Sequence, residues 1–84
     1  MQLAKFVKFR EEKFGGVLFE TRSEKVYTLT PTAAAVVQEI AAGRAPGEIA
    51  PLLAQRFNSA DGAIARDVEA FLAELRAKGL VEEG

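Results

Sequence analysis

The 84-residue chain contains no cysteine and no histidine. Without cysteine it has neither a disulfide framework nor a thiolate nucleophile. Without histidine it lacks the commonest metal ligand and the side chain that titrates nearest neutral pH. Charge of one sign is also scarce, with eleven basic residues against twelve acidic ones and a net charge of −1. Long apolar runs are missing too: the longest, 49–54, is six residues and carries Pro51 inside it, far short of the roughly 20 residues that cross a bilayer. The opening ten residues interleave Lys5, Lys8 and Arg10 with Phe6, Val7 and Phe9, which is not the apolar block of a signal peptide. These absences predict a cytoplasmic protein with no membrane partner, no metal and no cofactor.

What is present is the composition of a folded globule. Nearly half the residues are apolar, and no stretch is low in complexity, so a single domain spanning 1–84 with one core is expected. Charge divides unevenly: residues 1–30 hold six Lys/Arg and four acids, residues 31–84 five and eight. An acidic second half disfavours a nucleic-acid surface, which needs clustered cations.

Periodicity divides the chain at Thr30. Before it, aromatic and β-branched residues recur among charged ones without a helical stripe, predicting strands at 4–10, 16–21 and 25–30. Arg22, Ser23 and Glu24 form a connection of hairpin length, so the second and third strands pair antiparallel. Gly15 and Gly16 mark a turn or bulge before the second strand. On the third, Tyr27 and Leu29 face the core, and Val26 and Thr28 face away. Thr30-Pro31 then places a hydroxyl cap before a proline at the first helical position. Ala33, Val36, Val37 and Ile40 follow on one helical face, with Gly43 as the stop. A second helix is expected over 46–57, burying Ile49, Leu52, Leu53 and Phe57, with Pro51 imposing a kink or a late start. The third opens near Ser59 or Asp61 and closes at Lys78, burying Ile64, Val68, Phe71, Leu72 and Leu75. Gly79 and Leu80 cap it, and 81–84 should fray. The fold class is α+β and winged-helix-like: a three-stranded antiparallel sheet followed by three helices.

Catalysis finds little to work with. The carboxylate pairs Glu11 with Glu12, Asp67 with Glu74, and Glu82 with Glu83 read as solvated, and without His or Cys a pair must be desolvated in a cleft to act. No enzymatic activity is expected. The diglycine at 15–16 leads into a strand, not into the helix N-terminus that a phosphate loop requires. Lys5, Lys8, Arg10 and Lys13 alternate with Phe6, Phe9 and Phe14 in a pattern that single-stranded nucleic acid could use, but Glu11 and Glu12 interrupt it and the rings are needed inside. A winged helix could bind DNA through its third helix. That helix carries Arg66, Arg76 and Lys78 against Asp61, Asp67, Glu69 and Glu74, a poor match to phosphate, so no nucleic-acid partner is expected.

Two features remain: the third strand, and the helix-three face formed by Ala63, Asp67, Ala70, Glu74 and Ala77. An open strand edge can be completed by an extended peptide, and small residues let another backbone approach. Equally, alanines are good helix formers and Lys25 can guard an edge. An open edge could also pair with a second copy, so monomer and homodimer both stay open.

The order of motifs resembles the family of the pyrroloquinoline quinone biosynthesis protein D, the precursor-peptide recognition elements of ribosomally made, modified peptides. The likeness rests on Gly15-Gly16-Val17-Leu18-Phe19, on Lys25-Val26-Tyr27-Thr28-Leu29-Thr30, and on Thr32-Ala33-Ala34-Ala35-Val36-Val37. Farther on it rests on Asp67-Val68-Glu69-Ala70-Phe71-Leu72, Leu75 and Gly79-Leu80. Thr30 stands where Asn often caps the first helix, and Ala45 and Pro51 depart from the pattern in the second. The resemblance implies a non-catalytic chaperone that takes a leader peptide as an added strand and presents it to a modifying enzyme, often a radical S-adenosylmethionine (SAM) protein. The implied peptide-binding residues are Lys25, Val26, Tyr27, Thr28 and Leu29 on the strand, and Asp67, Ala70, Phe71 and Glu74 on the third helix. The alternative on the same scaffold is a winged-helix transcriptional regulator.

Overall fold

A computed structural model describes residues 1–57 and 62–82. Its elements are β1 (Gln2–Leu3), β2 (Val7–Glu12), β3 (Gly15–Glu20), β4 (Lys25–Leu29), α1 (Pro31–Ala41), α2 (Pro46–Arg56), α3 (Ala63–Ala77) and β5 (Val81–Glu82). The antiparallel sheet has the order β2-β3-β4, and the three helices follow it, as the change of period at Thr30 predicts. The core draws on all of these layers. Leu18 and Leu29 from the sheet meet Val36, Val37 and Ile40 of α1, Ile49 and Leu53 of α2, and Val68, Leu72 and Leu75 of α3. Removing each such side chain from water contributes about 1.5–3 kcal/mol.

The local signals at both ends of the helical half act as expected. The Thr30 hydroxyl accepts from the Ala33 N–H at 3.2 Å, and Gly43 takes φ +87° after α1. Beyond α3, Gly79 adopts φ +70°, its N–H bonds the Arg76 carbonyl, and the Leu80 N–H bonds the Leu75 carbonyl. This double bond pattern turns Leu80 back into the core, where it is buried.

Five expectations need correction. The 81–84 segment does not simply fray: Val81–Glu82 pairs antiparallel with Gln2–Leu3, extended by the Ala4 N–H to the Leu80 carbonyl, because the cap at Gly79 aims the chain back beside the N-terminus. Residues 83–84 lie outside the described residues. The first strand starts at Val7 and runs to Glu12, not from 4 to 10, since Ala4 is occupied in a turn that receives the Val7 N–H. Gly15 joins Gly16 within β3, which begins one residue earlier than expected, and the two stand opposite Glu12 and Glu11. At Gly15, φ is +143°, and a Cβ would stand 2.2 Å from the Leu29 carbonyl oxygen, so glycine is required by both conformation and space. The second helix starts at Pro46 without delay. Pro51 leaves the Gly47 carbonyl without an N–H, but both residues are exposed and water can serve it. Phe57 is the C-cap, beyond the last helical residue Arg56, and it is 40% exposed instead of joining Leu53 in the core. The predicted opening of the third helix at Ser59 or Asp61 lies outside the described residues; α3 begins at Ala63 after Gly62.

Candidate binding groove

β4 is the last strand of its sheet, and the direction of its unused backbone groups can be read from the ladder. Thr21, one step beyond the Glu20–Val7 pair, donates its N–H to the Phe6 carbonyl at 2.8 Å. A strand residue turns N–H and C=O to the same side, and the sides alternate. Phe19 and Val17 therefore face β2, while Glu20, Leu18 and Gly16 face β4. Their partners across β4 are Lys25, Tyr27 and Leu29, so those three residues exchange bonds with β3. The Leu29 carbonyl beside Gly15 agrees with this. Val26 and Thr28 are left with N–H and C=O aimed out of the sheet.

Beside this edge lies a groove of about 570 Å³, open to solvent, between β4, the start of α1 and α3. Its floor is apolar and buried, made by Leu18, Leu29, Val36, Val68, Leu75 and Leu80. Tyr27 and Phe71 are half-buried on its walls. Thr30, Thr32 and Ala33 line it where β4 passes into α1, and Asp67, Glu74 and Lys78 supply the charge. Glu74 accepts from the Lys78 ammonium at 3.0 Å, whereas Asp67 has no ion pair among the described residues.

The structure thus brings Tyr27, Thr28, Leu29, Asp67, Phe71 and Glu74 together in one concavity. Lys25 and Val26 belong to the same edge but do not line the groove; Val26 is 57% exposed on the opposite face of the sheet. Ala70 is exposed and lies outside the lining. The wall of α3 runs through residues 67, 71, 74 and 78, one position round from the small-residue face, because Phe71 lies half-buried at its centre rather than wholly in the core. Sequence reasoning missed Leu18, Thr30, Thr32, Ala33, Val36, Val68, Leu75, Lys78 and Leu80 as lining residues. The Thr-Pro-Thr turn into α1 was the available signal, since a strand leading directly into a helix must bring that helix's first turn beside its own edge.

Among the described residues no group of three His, Cys, Asp or Glu is placed to hold a metal ion, and no helix is long and apolar enough to cross a membrane.

The family model for coenzyme PQQ synthesis protein D (PqqD) matches residues 15–81. The chain belongs to the PqqD family. The match begins with β3 and ends in β5, so it contains the open strand and every groove-lining residue. Two solved structures share the fold. TbiB1 in complex with the TbiA(beta) leader peptide superimposes with a TM-score of 0.84 at 20% identity, covering 100% of this chain and 98% of that one. A lasso peptide synthetase B1 complexed with its leader peptide gives 0.79 at 26% identity, covering 98% and 96%. No curated protein matches the chain. PqqD membership and these neighbours agree with the architecture of three strands before three helices.

Proposed function

We propose that this PqqD-family chain is a peptide chaperone. It holds the leader segment of a ribosomally made precursor peptide as an antiparallel strand on β4 and presents it to a modifying enzyme. That enzyme is a radical SAM protein or a peptide-processing component of the kind that acts with lasso peptide synthetases. The chain itself performs no chemistry: with neither His nor Cys, it offers no ready base, nucleophile or soft metal ligand. The observation that carries the reading is the edge of β4, with the backbone groups of Val26 and Thr28 unpaired among the described residues, alongside an apolar groove of about 570 Å³. Strand addition would satisfy those backbone groups, and side chains entering the groove would add selectivity. Both structural neighbours were solved with leader peptides, which supports the same class of partner here.

Amide chemical shifts tested against the TbiA(beta) leader and against short precursors encoded beside this gene locate the site. Shifts should concentrate on β4, the first turn of α1 and the 67–78 face of α3. Changes confined to α2 would place the site elsewhere. A proline pair separates binding from folding. Thr28→Pro removes an outward N–H at an edge strand and should weaken binding at least tenfold with the sheet retained. Tyr27→Pro removes a bond to β3 and should unfold the domain.

A further inference from the structure

Alternation in the ladder says which side chains of an occupant would be read. In an antiparallel pair, residues directly opposite one another project to the same face, and hydrogen-bonded and non-bonded positions alternate. The occupant's residues opposite Val26 and Thr28 would make the backbone bonds and send their side chains to the outer face, where Val26 lies exposed. Residues opposite Lys25, Tyr27 and Leu29 would make no bonds to β4 and would point to the groove side. The Tyr27 position stands over the apolar floor.

We infer that this groove selects extended peptides with apolar side chains at alternate positions, and that Asp67 sets the charge preference at those positions. The inference rests on the proposed strand addition at β4. Asp67 is the one lining carboxylate without an ion pair among the described residues, because Glu74 is engaged by Lys78. An acidic side chain entering beside it meets like charge over an apolar floor. A lysine or arginine can cover that floor with its stem and bring its head to the Asp67 carboxylate. The selected class is therefore apolar-x-apolar, with Lys or Arg admitted and Asp or Glu excluded at the groove-facing position beside Asp67, and with the intervening positions free to vary.

A display library of randomised nine-residue peptides, selected on the intact chain and in parallel on Asp67→Lys, tests this. The expected result is enrichment of apolar pairs two residues apart, with acids depleted at least fivefold in the same register on the intact chain. On Asp67→Lys the depletion should move to Lys and Arg while the apolar spacing persists. Enrichment with apolar residues three or four apart would overturn period-two reading while leaving peptide binding in place, as for a helical ligand. An unchanged charge preference on Asp67→Lys would remove Asp67 from the selection. If no peptide is enriched on the intact chain, the proposed function falls and this inference with it. Amide hydrogen exchange of the free domain checks the backbone geometry without any ligand. Val26 and Thr28 should exchange at least tenfold faster than Tyr27 and Leu29, and equal protection would overturn the assigned alternation.

Discussion

Single residues decide the geometry of the edge, and Gly15 is the clearest case. Its φ of +143° is disfavoured for any residue with a side chain, and the space a Cβ needs is taken by the Leu29 and Thr30 backbone. That backbone is where β4 turns into α1, so relief must come from moving the wall of the groove. Gly15→Ala should cost about 2–4 kcal/mol, read from the urea midpoint, and shift the amides of residues 28–33. A loss below about 0.5 kcal/mol would mean the β4–α1 junction gives way freely. The sequence marks 15–16 as a turn or bulge and leaves Gly15 outside the strand, because local pattern carries no information about a chain segment crossing from fifteen residues away. Thr30, Gly43 and Gly79 were legible for the opposite reason: a cap acts within four residues of itself. Tyr27 and Leu29 were placed on the core face by alternation alone, and their half-buried and buried states agree.

Helices α1 and α2 are joined at their surface by one carboxylate. Glu39, its side chain only 12% exposed, accepts from Arg56 at 2.9 Å and from Arg44 at 3.0 Å. The Arg56 guanidinium first, and Arg44 next, hold its carboxyl below the ordinary 4.5. A depressed folded value contributes stability that is present above the unfolded value and lost as pH falls through the folded one. The stability difference between the protein and Glu39→Gln should therefore be constant above about pH 5.5, begin to shrink near 4.5, and vanish in stronger acid. Its plateau should be about 1 kcal/mol, since both arginines are nearly half exposed. Urea titrations at several pH values measure it, and a difference that does not vary with pH would show that the ion pairs contribute nothing. Elements of this size were legible from their repeats. The two-residue strands β1 and β5 were not, because two residues show no period and their pairing joins opposite ends of the chain.

At the scale of the whole molecule, the question is whether this fold meets a peptide or a nucleic acid, since a sheet with three helices serves both. Placement of charge disfavours the nucleic acid. The buried stripe of α3, Val68, Leu72 and Leu75, faces the core, and the side toward β4 carries Asp67 and Glu74 with the latter's partner Lys78. Over Ala63–Ala77 the helix has Arg66 and Arg76 against Asp67, Glu69 and Glu74, so no face of it gathers the cations that displace counterions from a phosphate backbone. The sheet precedes the helices, which leaves β4 beside α3 as a groove instead of extending a wing past it. That spatial relation was available from element order, but the exact wall was not: a helix face can be rotated by one residue without breaking its apolar stripe, which is how Ala70 stood in the expected site and Lys78 outside it. Duplex DNA should accordingly bind no tighter than the roughly 10⁻⁴–10⁻⁶ M typical of non-specific contacts at physiological salt, with no preference among sequences. Gel-shift titrations with two unrelated duplexes at several salt concentrations provide the measurement. Sub-micromolar binding that separates the duplexes would return the chain to the transcriptional regulators. Weak binding that vanishes as salt rises, alongside leader-peptide shifts on β4, is what an acidic third helix beside an open strand requires.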